Sequence, residues 1–239
     1  MFGVPENAAL LPNMAKSPQL NRTEPDLAAD RQRALTLIPV SRETANRLDR
    51  FVELLLERQE ITNLIADSTI PIIWTRHIAD SLQLLAIAPE AKRWIDLGSG
   101  AGFPGLIIAC ALADTAGVTV HLVESNQKKA AFLREAVSDI GVPAIVHAVR
   151  IEDFVQNYRE QVDVVTARAL APLDDLLKLA HPLLKTGTLG LFLKGQDVAT
   201  ELTKAAKYWS IDFSLVPSKT NANSRIVVVR GLHKRPGKN

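Results

Sequence analysis

One stretch constrains this chain more than any other: Arg93-Trp94-Ile95-Asp96-Leu97-Gly98-Ser99-Gly100-Ala101-Gly102-Phe103-Pro104-Gly105, continued by the apolar run Leu106 to Leu112. Bulky, mostly β-favouring residues lead into alternating glycines, and the apolar run follows, which predicts a strand, a tight loop and a helix. In an open parallel sheet, ligands bind outside the carboxyl ends of the strands, where this loop would lie. The letters fit two adenosine ligands, and also a tight strand-to-helix turn with no ligand. Gly100-Ala101-Gly102-Phe103-Pro104-Gly105 spells the G-x-G-x-x-G of dinucleotide sites. A pyrophosphate there needs free backbone N–H groups at the helix start, and Pro104 has none, although Pro is common at a first helical position. S-adenosylmethionine has no phosphate to cradle. Its methionyl amine, ribose hydroxyls and adenine need an acid-lined, glycine-floored pocket, which Asp96, Gly98, Gly100 and Gly102 can supply.

From Lys92 onward, strand and helix patterns alternate, which predicts a parallel sheet covered on both faces. Expected strands are Val118 to Glu124, Pro143 to Val149, Val162 to Arg168 and Leu189 to Gly195, with helices over Gln127 to Ile140, Pro172 to Leu184 and Val198 to Lys207. The alternation then breaks: Ile211 to Pro217 and Arg225 to Gly231 are separated only by a polar turn and should pair antiparallel. The fold class is α/β, a Rossmann-like, seven-stranded, mostly parallel sheet with a terminal antiparallel hairpin. That is the layout of class I S-adenosylmethionine-dependent methyltransferases, and dinucleotide-binding domains do not usually end this way.

Ahead of the sheet, Met1 to about Asp30 carries four prolines without a sustained period and is predicted to be a mobile tail. Residues 31–90 form a helical extension, and 91–239 the methyltransferase domain with a basic C-terminal tail. Ser41 is an expected helix N-cap with Glu43 in the first turn, ahead of Leu48, Phe51, Val52, Leu55 and Leu56 at helical spacing. A second helix is expected to follow Pro71, with Arg76, His77, Asp80 and Ser81 on one face. With 239 residues, 47% of them hydrophobic, the chain can bury a good core. Its 28 basic and 26 acidic residues nearly balance, so nucleic-acid binding must rely on local basic surface. Cys110 lies in the apolar run and is expected to be buried and inert. The spacing of the five histidines and one cysteine matches no metal site. A soluble, cytoplasmic, monomeric protein without a membrane partner is expected.

Glu124 ends the second strand about twenty residues past the glycine loop, where an acid can accept from both ribose hydroxyls of either adenosine ligand. Ile151 and Glu152 follow the third strand on the same rim; they could pack on adenine and accept from its amine, or simply start a helix. Arg168 and Lys194 end the fourth and fifth strands, as substrate contacts or as solvated strand-end charges. Together they suggest an anionic or carbonyl-rich substrate. Arg230, His233, Lys234, Arg235 and Lys238 close the chain as a solubilising or phosphate-contacting tail. His77, Asp80 and Ser81 include the residue types of a hydrolase triad, but one helix does not align them in series.

Asn63-Leu64, then Arg76-His77-Ile78-Ala79-Asp80-Ser81, the glycine loop with its Gly-Phe-Pro-Gly ending, Ala167-Arg168-Ala169 and Leu193-Lys194-Gly195-Gln196 occur in this order. Together they resemble the bacterial small-subunit ribosomal RNA guanine-N7 methyltransferases, the glucose-inhibited division protein B family, over about residues 45 to 230. The resemblance implies S-adenosylmethionine as methyl donor, held at Gly98, Phe103, Ile151, Glu152 and Arg168. It implies 16S ribosomal RNA or the small subunit as partner, and N7 of the guanosine at position 527, in the 530 loop, as acceptor. The long, Pro-containing start departs from the usual shorter form. Substrate candidates are Arg76, His77, Asp80, Ser81, Arg168 and Lys194. Guanine N7 carries no proton to remove, so no general base is expected.

Overall fold

β-branched and leucine-rich runs, each four to six residues long, form the parallel strands β1 (Arg93–Leu97), β2 (Thr119–Val123), β3 (Ala144–His147), β4 (Val164–Arg168) and β5 (Leu189–Lys194) in the computed structural model, which describes residues 26–235. The hairpin of β6 (Trp209–Pro217) and β7 (Arg225–Lys234) completes one seven-stranded sheet ordered β3-β2-β1-β4-β5-β7-β6. β7 runs antiparallel to both β5 and β6, as the break in alternation predicts. Arg230, His233 and Lys234, expected in a tail, are residues of β7.

Strand alternation assigns the two faces. Trp94 packs with α2 (Arg42–Gln59), α4 (Gly105–Ala111) and α5 (Gln127–Ile140), in a core containing Phe51, Leu106, Phe132 and Leu133. Ile95 and Leu97 point the other way, against α7 (Leu173–Leu184) and its companions α6 (Ile151–Asn157) and α8 (Val198–Ala205). Asp96 therefore sits on the α4 side of β1, under the glycine loop. Ser41 caps α2 by accepting from the Thr44 N–H, and Leu48, Phe51 and Leu55 are fully buried.

Two features of the N-terminal part depart from expectation. Helix α1 (Leu27–Leu37) begins inside the stretch assigned to the tail, and Asp30 is completely buried; Met1 to Pro25 lie outside the described residues. The helix expected after Pro71 is composite: a 3-10 turn over Asp67–Ile72 that contains Pro71, a wide π-helical stretch Trp74–Ala79, one α turn, α3 (Asp80–Leu82), and a 3-10 turn Gln83–Ala86. Among the described residues, no helix is long and apolar enough to cross a membrane.

Candidate active site

The glycine loop leaves β1 with Gly98 at φ +72 and Gly102 at φ +104, conformations that L side chains rarely adopt. A Cβ on Gly98 would lie 2.6 Å from Leu170 Cδ1, whereas one on Gly100 would meet nothing closer than 3.9 Å. The loop is thus closed behind and open above Gly100. Most of its backbone donors are already taken: the Gly98 and Ser99 N–H groups donate to Val123 O, and those of Gly102 and Phe103 to Ser99 O. The Gly100 N–H donates to Glu124 Oε2 at 2.8 Å, and the other Glu124 oxygen accepts from the Asn126 N–H. A carboxylate with two lone-pair sites free therefore stands where a pyrophosphate would need positive N–H groups. This chemistry suits a phosphate-free nucleoside that donates from its hydroxyls.

A cavity of about 390 Å³ opens above this loop. Gly98, Gly100, Phe103, Glu124, Ile151, His77 and Arg168 line it, together with Leu64, Ile65 and Thr69 from the segment after α2. A second cavity, of about 360 Å³, contains Arg76, Asp80, Lys194, Glu201 and Arg225. Arg168, Ala169 and Leu170 belong to both, so one wall at the carboxyl end of β4 separates them. Ala169 turns the chain there with φ 51, an uncommon conformation for a residue other than glycine.

Arg168 is the centre of that wall. Its guanidinium donates to His77 Nδ1 at 2.6 Å and to the Arg76 carbonyl at 3.3 Å, lies 5.0 Å from the Phe103 ring centroid, and stands 3.9 Å from Asp80 Oδ2. His77 stacks on Phe103 with centroids 4.7 Å apart. Burial, reinforced by Arg168 and Arg76, pushes the His77 pKa down to about 3. The ring is neutral at physiological pH. Because Nδ1 accepts from Arg168, Nε2 carries the proton and donates to Thr69 Oγ1 at 3.0 Å. Burial also lowers the Arg168 pKa, to about 10, and the guanidinium remains charged at pH 7.

Several expected contacts lie behind the cavities rather than in them. Asp96 is 1% exposed; its carboxylate accepts from the Gly105 N–H at 3.1 Å and Thr166 Oγ1 at 3.0 Å, clamping the start of α4 to the sheet. Burial raises its pKa to about 6. Gly102 faces Leu106 and Leu133 in the core. Ser81 is fully buried, and its hydroxyl donates to the His77 carbonyl. Glu152 is exposed in the first turn of α6, leaving Ile151 as that helix's contribution to the wall. These four residues support the site from behind or beside it, because the strand and helix faces they occupy turn them away from it.

The second cavity also contains residues that motif reading missed. Lys194 Nζ donates to the Ala171 carbonyl at 2.6 Å and pairs with Glu201 at 2.7 Å, so two of its three protons are committed. Asp80 Oδ1 accepts from Gln83, Ser218 and Thr220, tying the composite helix to the β6–β7 turn. Glu201, Ser218 and Arg225 reach the site through tertiary packing, and no spacing in the sequence marks them. Cys110 is buried and its thiol pKa is raised to about 12, so it is inert.

The model of the family described as rRNA small subunit methyltransferase G (GidB) matches residues 44–227. A protein named ribosomal RNA small subunit methyltransferase G from Bradyrhizobium sp. strain BTAi1 is 59% identical over 203 residues, 85% of this chain and 91% of that one. Its namesake from Nitrobacter hamburgensis is 57% identical over 208 residues, covering 87% and 80%. Among solved structures, an O-methyltransferase from Bacillus cereus in complex with SAH has a TM-score of 0.56 at 15% identity, covering 84% of this chain and 97% of that one. The O-methyltransferase TomG of Streptomyces achromogenes, in complex with SAM, gives 0.56 at 13% identity, covering 85% and 96%. These likenesses show a shared class I methyltransferase fold.

Proposed function

The chain belongs to the rRNA small subunit methyltransferase G (GidB) family, and from that premise we propose that it transfers a methyl group from S-adenosylmethionine to N7 of a guanosine in 16S ribosomal RNA, at position 527 in the 530 loop, in the cytoplasm. The observation that carries this reading is the pair of cavities meeting at Arg168, Ala169 and Leu170. One has an acid at a glycine loop and the other is rich in cations.

In the first cavity, Gly98 and Gly100 form the floor, Glu124 offers its free lone pairs to the ribose hydroxyls, and Ile151 and Phe103 supply apolar surface for adenine, with Glu152 at the neighbouring helix start. Asp96 and Gly102 hold the loop from beneath. S-adenosylmethionine bound there supplies an electrophilic methyl group. In the second cavity, Arg76, Lys194 and Arg225 suit an RNA segment, and the uncommitted protons of Arg168 and Lys194 suit guanine O6 or an adjoining phosphate. None of these donors can bond N7 during attack, because that lone pair is the nucleophile.

The state of His77 agrees with this acceptor. Its free lone pair is occupied by Arg168 and its pKa is about 3, so it does not draw a proton from a substrate. Guanine N7 requires no such base, and catalysis reduces to holding two reactants in line, which can contribute roughly 7 to 11 kcal/mol. A guanosine must be unpaired or splayed to enter, since side chains cannot read the deep groove of A-form RNA.

The test is transfer of labelled methyl from S-adenosylmethionine to undermethylated small subunits and to naked 16S RNA, followed by nucleoside analysis. Label recovered as 7-methylguanosine and lost on RNase treatment supports the proposal. Label in protein, or in a different nucleoside, contradicts it.

A further inference from the structure

Helix α1 inserts little of itself into the core: Asp30 and Ala34 are its buried residues. Burying a lone carboxylate is costly unless its oxygens are fully bonded, and those of Asp30 are. Oδ2 accepts from the Trp74 N–H at 2.8 Å and the Thr75 N–H at 3.1 Å, while Oδ1 accepts from Thr75 Oγ1 at 2.8 Å and pairs with Arg33 at 3.1 Å. Trp74 and Thr75 open the π-helical stretch, where N–H groups lack intrahelical partners. A side chain 44 residues earlier in the chain satisfies them.

That stretch is the one that carries Arg76 and His77 and leads into Asp80. π-Helical geometry is rare and marginal on its own. If its first turn relaxed to α-helical winding, His77 and Asp80 would rotate relative to Arg168, and the wall between the cavities would lose its partners. The geometry points to Asp30 as a positioning residue for methyl transfer: α1 holds the wide turn in the winding that presents His77 Nδ1 to Arg168. This inference rests on the function proposed above, because it concerns the same wall. It places the N-terminal extension within the catalytic apparatus although α1 does not line either cavity.

The test compares Asp30→Asn, Asp30→Ala and Thr75→Val with Asp49→Ala, in the full chain. Asp49 ties α1 to α2 through Arg31 and takes no part in the Asp30 bonds. Denaturation curves fix a temperature at which each variant is folded. Turnover at saturating methyl donor and RNA is then measured, and the His77 ring is followed by nitrogen NMR, assigned by comparison with His77→Gln. The wild-type ring should show one neutral tautomer protonated at Nε2. Asp30→Ala should lower turnover by about tenfold to a hundredfold, as expected for a small misplacement near reacting groups, and should average the His77 signals between tautomers, whereas Asp30→Asn, whose amide oxygen can still accept from the Trp74 and Thr75 N–H groups, should have a smaller effect. Thr75→Val should likewise act more weakly than Asp30→Ala, and Asp49→Ala should lower stability alone. Folded Asp30→Ala with turnover within about twofold of wild type, or with unchanged His77 signals, overturns the inference. A wild-type chain that fails to methylate the RNA overturns the functional proposal instead, and the ring signals still decide the role of Asp30.

Discussion

Replacing Arg168 by Ala removes the group on which both cavities depend, and the structure sets the size of the effect. The side chain is 13% exposed, so its interactions are poorly screened. Its hydrogen bond to neutral His77 is charge-assisted, worth about 1.5–3 kcal/mol. Asp80 Oδ2 would be left facing Arg76 alone, at 3.7 Å and with that arginine 42% exposed. Breaking a fully buried ion pair costs about 3–5 kcal/mol; the remaining arginine and the 3.9 Å separation keep this pair below that range. Relief of the burial that holds the Arg168 pKa near 10 offsets part of the loss. The balance is a destabilisation of about 2 kcal/mol, read by urea unfolding at neutral pH. Arg168→Lys should recover little, since an ammonium cannot reproduce the planar fork that meets His77 Nδ1 and the Arg76 carbonyl together. A double-mutant cycle with Asp80→Asn should return a coupling of about 1 kcal/mol. Additivity within about 0.3–0.5 kcal/mol would show that Arg168 and Asp80 do not interact and would refute this account of the wall.

Other perturbations separate cofactor binding from stability. Glu124→Gln turns an acceptor into an NH2 group facing the Gly100 or Asn126 N–H, and should weaken S-adenosylmethionine binding at least about tenfold by calorimetry, since each lost charge-assisted bond is worth about 1.5–3 kcal/mol; unchanged affinity would remove Glu124 from the site. Gly98→Ala, at φ +72 and with Leu170 in the way, should lose both stability and affinity, whereas Gly187→Ala, at φ +90 with open space around it, should lose stability alone. His77 is depressed to about 3 in the folded chain from 6.5, so the unfolded chain binds the proton first, and its contribution to stability is lost as pH falls below 6.5. Comparing wild type with His77→Gln isolates this effect: the stability difference should shift by about 1.4 kcal/mol per pH unit below 6.5, reaching about 2 kcal/mol at pH 5. Asp96 acts in the opposite direction, because its folded pKa of about 6 is raised from 3.8, and the comparison cancels it. A pH-independent difference between the two proteins would mean that His77 titrates normally.

The sheet was legible because its determinants are local: apolar runs of strand length, glycines between strand and helix, and a final polar turn joining two strands. Ser41 declared its helix for the same reason. Asp96 reads as a strand-end acid of the pocket, but its burial beneath the loop depends on which face of β1 meets α4, and the local sequence does not show that. Glu124 was placed at the right strand end, but its bond to Gly100 comes from the approach of two loops. The composite winding around His77 had no local signature. It depends on Asp30, distant in sequence, and periodicity does not register a helix whose first turn is satisfied by another element. Glu201, Ser218 and Arg225 were hidden likewise, since an isolated polar residue in a helix or turn reads as solvated surface until packing brings it to a cavity.

The glycine loop, with most of its donors used and Glu124 above it, is the centre of this account, and calorimetric titration of the purified chain with S-adenosylmethionine and with NAD tests it most directly. The account predicts saturable binding of the methyl donor that is lost in Gly98→Asp, and no binding of the dinucleotide. Binding of NAD without S-adenosylmethionine would contradict it, leaving the fold standing and the chemistry assigned to the loop wrong.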